Sequence, residues 1–150
     1  MRRLLIFAAG LAALCTPTNA ATDVVFTGNV TDTCTLAVPT PGTMTLSSDG
    51  KTLGSDQALG IPATVTVLSL GGNTVTLAAP TLTASPVGYG GGETVQMSYS
   101  GLASHAYTTQ QQAIPLGILP LTNLVIQMQV INNSGFLQGT YTAKTVLTCS

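Results

Sequence analysis

Residues 124–131, LVIQMQVI, put Leu124, Ile126, Met128 and Val130 on one side of an extended chain. Val125, Gln127, Gln129 and Ile131 fall on the other side. That two-residue period belongs to a strand, because a helix would scatter the four aliphatic side chains around its circumference. The second side is itself partly apolar, which predicts a central strand. ETVQMSYS (93–100) repeats the period, with Val95, Met97 and Tyr99 sharing a face. No window of helical length carries a sustained 3.6-residue period, so the apolar faces have to be buried sheet against sheet.

Turn chemistry divides the rest. In TMTLSSDGKTLGS (43–55) the Asp49-Gly50 pair predicts a hairpin. ATVTVLSL (63–70) meets Gly71-Gly72-Asn73 before TVTL (74–77), which predicts a second hairpin. Pro80 and Pro86 bracket TLTAS, an edge strand or a loop. AIPLGILPL (113–121) is apolar, but Pro115 and Pro120 bar it from an interior strand; it plugs one end of the fold or forms an exposed contact surface. GTYTAKTVLTC (139–149) is a long β-rich ending. About seven short strands at this spacing predict an all-β, antiparallel, immunoglobulin-like sandwich.

The first twenty residues stand apart. Arg2 and Arg3, the apolar run LLIFAAGLAALC (4–15) and the small-residue stretch TPTNA (16–20) read as a secretory signal cut after Ala20 or Ala21. The run is too short to span a bilayer, and no later stretch approaches the roughly 18 apolar residues required. Cys15 raises the alternative of lipidation, but Leu14 precedes it where that processing requires a small residue. The expected organisation is a signal over 1–20, an extended segment over 21–33 and a sandwich over 34–150.

Export places Cys34 and Cys149 in an oxidising compartment, which predicts a disulfide between the two ends of the mature chain; two buried thiols are the alternative. The remaining charge is sparse: Lys51 and Lys144 against Asp23, Asp32, Asp49, Asp56 and Glu93. With no basic patch to neutralise phosphates, nucleic acid is not an expected partner.

Chemistry finds little to work with. His105, the single histidine, lies in GLASHAYTTQQQ (101–112) without an acidic neighbour, so no nucleophile–base pair is evident. Asp49 belongs to its turn, and Asp23 and Asp32 flank the first strand; Asp56 and Glu93 remain open as a carboxylate pair. GYGGGET (88–94) leads into a strand and not a helix N-terminus, so it reads as a turn and not a phosphate cradle. No metal site, cofactor or enzymatic activity is expected.

VVFTGNVTDTCTLAV (24–38) resembles the N-terminus of bacterial chaperone–usher pilins. There, an extended segment of alternating apolar residues with a central glycine precedes a strand opening with cysteine, any residue, then Val or Leu. Val24, Phe26, Gly28 and Val30 match the pocket-filling positions and Cys34 the first-strand cysteine. GTYTAKTVLTC resembles the family's closing strand. The resemblance implies a sandwich lacking its last strand, with an apolar groove filled first by a periplasmic chaperone and then by the N-terminal segment of the next subunit. It implies a homopolymeric surface fibre built at an outer-membrane usher and involved in adhesion, with Tyr141, Ala143 and Leu147 lining the acceptor groove. The alternative is a self-contained secreted sandwich acting as a binding module. Two departures stand out: familiar pilins carry their second cysteine on the next strand, and many have a tyrosine near the terminus where this chain reads LTCS.

Overall fold

The computed structural model describes residues 25–29, 33–117 and 121–150. The expected signal lies outside them, as do Val24 and Val30. Twelve strands follow in order among the described residues. The first six are β1 (Thr33–Thr40), β2 (Thr45–Leu46), β3 (Thr52–Gly54), β4 (Ala63–Leu70), β5 (Thr74–Leu77) and β6 (Thr81–Ala84). The others are β7 (Thr94–Gly101), β8 (His105–Thr108), β9 (Gln112–Pro115), β10 (Leu121–Ile131), β11 (Thr142–Lys144) and β12 (Leu147–Cys149).

β10 is the spine of the larger sheet. One side pairs with β7 from Leu124 to Ile131. The other pairs first with β4 over Leu121–Ile126 and then with β3 over Gln129–Ile131. β1 extends the sheet beyond β4, β2 beyond β3 and β8 beyond β7. The central position expected for 124–131 follows from this double pairing: Leu124, Ile126 and Val130 are buried inward. The opposite face carries an amide ladder, with Gln96 donating to Gln129 at 2.9 Å and Ser98 to Gln127 at 3.2 Å.

The second layer is thinner. β5 lies between β12 and β9, and β6 pairs with β11. β5 and β6 are successive pieces of one line of chain, and β11 and β12 of another. The pairing resumes across the break, where Ala78 N donates to Val146 O at 2.9 Å and Thr145 Oγ1 donates to Ala78 O at 2.6 Å. All these strand pairs are antiparallel, and the fold is an all-β sandwich. Its core joins Val65 and Val67 of β4, Met97 and Tyr99 of β7, and Leu124 and Ile126 of β10 to Val75 and Leu77 of β5 with Ile114 and Leu116 opposite. Each such aliphatic side chain contributes roughly 1.5–3 kcal/mol when fully buried.

The Asp49-Gly50 turn forms as expected. Gly50 takes φ 71°, and the Asp49 carboxylate accepts from Ser47 Oγ and from Lys51 N. The second expected hairpin does not form. β4 and β5 share no ladder, because both edges of β4 are already taken by β1 and β10. The chain turns a corner there and crosses to the other sheet, bringing Val75 and Leu77 to face Val65 and Val67. Asn73 holds the corner, its Nδ2 donating to Ser69 Oγ, Leu70 O and Thr33 O.

Segment 113–121 begins as an edge strand. Leu116 N donates to Asn73 O, so Pro115 falls at a non-bonded position and its missing N–H costs the ladder nothing. Ile114 and Leu116 are buried in the core, while Leu121 is exposed at the start of β10.

Candidate functional site

Alternation decides the character of the last stretch of chain. From Tyr141 to Cys149 the odd-numbered residues are half-buried and the even-numbered ones exposed. The odd residues therefore point into the sandwich without being covered by it. β11 and β12 pair on one side only, with β6 and β5. In β12 the bonds to β5 come from even-numbered residues: Thr74 and Ser150 exchange both bonds, and Ala78 donates to Val146. The backbone groups of Leu147 and Cys149 therefore project toward the opposite edge, where no strand pairs with them among the described residues.

β1 presents a second edge from the other sheet, since among the described residues it pairs in a ladder with β4 alone. Its ladder shifts register between Ala37 and Thr40, where one extra residue interrupts the regular pairing. Between these edges lies a cavity of about 570 Å³. Ala63 and Val65 of β4 and Ile126 and Met128 of β10 form its floor, Val38 and Thr43–Met44 one wall, and Tyr141, Ala143 and Leu147 the other. The three residues singled out on the closing strand are thus brought together on one wall. Ser55 secures the floor: its N donates to Met128 O and its Oγ accepts from Met128 N, both at 2.9 Å.

The groove's two ends differ. At one, Cys34 of β1 and Cys149 of β12 form the expected disulfide, with Cα atoms 6.1 Å apart. At the other, Tyr141 is fixed by its hydroxyl, which accepts from Leu137 N at 2.9 Å and donates to Leu137 O at 3.0 Å. Its ring meets those of Tyr89 and Phe136 edge to face, each with centroids 5.2 Å apart. Asn132, buried, donates to the Tyr89 hydroxyl at 2.7 Å. Burial, set against that Asn132 bond and reinforced by nearby Glu93, raises the Tyr89 pKa. This aromatic cluster was not read from the sequence: Tyr89 and Phe136 lie in loops with no periodicity, and only their aromatic identity could have pointed to them.

The N-terminal segment stands outside all this. Residues 25–29 belong to no strand, and Phe26 is 91% and Val25 79% exposed. A Cβ placed on Gly28 would meet nothing within 4 Å.

Catalytic groups do not converge on the groove. Among the described residues its lining includes no carboxylate, histidine or cysteine; Lys144 and the Tyr141 phenol are the ionisable groups among them. Asp56 accepts from Gln57 and Gln129, while Glu93 lines a separate cavity of about 500 Å³ that Asp56 does not enter. The two carboxylates are therefore not a facing pair. Tyr107, on β8, has its pKa pushed up to about 12, first by burial and then by the negative charge of Asp56. His105 is exposed, its Nδ1 2.7 Å from Ala106 O and its ring 5.8 Å from that of Tyr99. No three His, Cys, Asp or Glu residues cluster for a metal among the described residues. No helix among them is long and apolar enough to cross a membrane.

No protein-family model, curated protein or solved structure matches the chain.

Proposed function

We propose that the chain is an exported structural subunit of a bacterial surface fibre, assembled by strand donation between copies and serving attachment. One observation carries this reading. Two strand edges without a ladder partner among the described residues, β1 and β11–β12, face each other across an apolar groove, while residues 25–29 of the alternating apolar segment belong to no strand. A strand entering the groove finds the edge of β11 turned away from β6 for affinity and pockets below for alternate side chains, the physics of β-augmentation.

Dimensions support the match. The donor stretch 24–30 and the wall from Tyr141 to Leu147 are each seven residues, roughly 23 Å when extended. Val24, Phe26, Gly28 and Val30 would be the inward teeth, with Gly28 fitting where the groove is shallow. Before assembly, the half-buried groove residues Ala63, Met128, Ala143 and Leu147 call for a periplasmic chaperone, and the fibre for an outer-membrane usher. The disulfide and the lack of a membrane-length helix among the described residues are compatible with export.

The test is deletion of residues 21–31 alongside Gly28→Leu in the exported chain. Strand donation predicts a folded domain in both cases, held by the chaperone or complemented by a peptide of residues 21–31, that no longer polymerises. If the deletion melts the isolated monomer, the segment serves its own sheet and the chain is a self-contained binding module.

A further inference from the structure

On the strand-donation reading, we propose that the Cys34–Cys149 disulfide is a stopper: it denies the groove to the chain's own N-terminal segment, so that only a second copy, entering from the Tyr141 end, fills it.

The spacing argues first. A strand inserted between two others holds its flanks about 9.5 Å apart, twice the interstrand distance. At Cys34 and Cys149 the flanks are 6.1 Å apart and covalently joined. Leu36 and Leu147 pack there with both cysteines against the core, so no strand passes between β1 and β12 at this level. Beyond it, the ladder of β1 is interrupted between Ala37 and Thr40, and the cavity extends to Pro41 and Tyr141. The groove is blind at one end and open at the other.

Direction argues second. β1 starts at the blind end and leads away from it, while β11 and β12 run toward it. The chain's own segment joins β1 at Thr33, with only residues 30–33 between the described stretch 25–29 and Cys34. To reach the groove it would have to fold back along β1 as a hairpin, and the first pairing positions of that hairpin are those β12 already occupies. A second copy does not meet that obstacle. Its body stays beyond the open end, its segment enters with the N-terminal residues deepest, and it runs antiparallel to β11–β12 until the disulfide stops it.

Concentration makes the stopper necessary. A segment tethered a few residues from its own groove has an effective concentration on the order of mM, which would outcompete any second copy at lower concentration. That advantage vanishes only when geometry forbids the intramolecular route.

The chain contains no tryptophan, so Phe26→Trp gives a single reporter at a position now 91% exposed. In the oxidised protein the emission should be unshifted at high dilution and move to the blue as concentration rises, in step with the mass read by light scattering. With Cys34→Ser and Cys149→Ser added, the blue shift should become independent of concentration and the protein monomeric. A concentration-independent blue shift in the oxidised protein overturns the stopper while sparing the groove as the segment's site. So does a cysteine-free protein that keeps the oxidised protein's concentration dependence. No blue shift at any concentration in the oxidised protein overturns strand donation itself. Should the cysteine-free protein fail to fold by circular dichroism, the oxidised titration alone decides.

Discussion

The Ser55 hydroxyl accepts the Met128 amide at 2.9 Å, joining the end of β3 to the middle of β10 across 73 residues of chain. Ser55 is 3% exposed, so this bond is made where water cannot replace it. Ser55→Ala leaves the Met128 N–H buried without its acceptor. The expected loss is about 1–3 kcal/mol, read as a lower urea midpoint with an unchanged slope.

Tyr141 contributes in two separable ways. Tyr141→Phe keeps the ring against Tyr89 and Phe136 but removes both bonds to Leu137, and should cost about 1 kcal/mol. Tyr141→Ala forfeits the ring contacts as well, each worth a further ~0.5–1.5 kcal/mol. Equal destabilisation by the two substitutions would mean that the ring packing contributes nothing.

The Asp49 turn gives an acid signature. Its pKa is lowered from 3.8 by the Ser47 hydroxyl first and the Lys51 amide second. A carboxylate whose folded pKa lies below its unfolded one stabilises above the unfolded value, and that contribution disappears as pH falls through the folded value. Stability measured by urea should therefore fall modestly as pH drops below the ordinary value of 3.8. Asp49→Asn should flatten that limb without altering the neutral-pH spectrum.

Tyr107 gives the opposite limb. Held protonated to about 12 against an ordinary 10.0, it keeps its proton in the folded chain after the unfolded chain has lost it. Stability should be intact below about pH 10 and decline between there and about pH 12. In a tyrosinate absorbance titration of the folded protein, Tyr107→Phe should remove a late-titrating component.

Reduction of the Cys34–Cys149 bond frees a separation of 115 residues. By chain-entropy arithmetic the cost is roughly 4–5 kcal/mol, a drop of many degrees in the thermal midpoint. Paired melts with and without dithiothreitol measure it; coincident curves would show that the bond is thermodynamically idle.

Periodicity and turn chemistry carried the sequence a long way. The inward face of 124–131, the Asp49-Gly50 turn and the pairing of Cys34 with Cys149 were all legible, because each is fixed by local stereochemistry or by the number of cysteines. The facing of the last strand was ambiguous, because threonine and aliphatic residues fall on both of its sides; the fold turns Tyr141, Ala143 and Leu147 toward the groove. The corner at Gly71–Asn73 was not legible. A hairpin and a crossover use the same glycines, and only the competition of β1 and β10 for the edges of β4 decides between them. The opposite wall was also hidden beyond Val38: Val38 continues the face of Cys34 and Leu36, but the register shift between Ala37 and Thr40 breaks the alternation before Thr43 and Met44. Tyr89 and Phe136 reach Tyr141 only through tertiary placement of two loops.

The break at Ala78–Pro80, mirrored at Thr145–Val146, has a consequence for company. A long, flat, unpaired border would template cross-β growth with any extended peptide it met. Thr145 spends its hydroxyl on Ala78 O at the break, so the border is interrupted partway along. A guest has to accommodate that interruption beside the exposed charge of Lys144, and the risk of promiscuous amyloid-like growth falls accordingly.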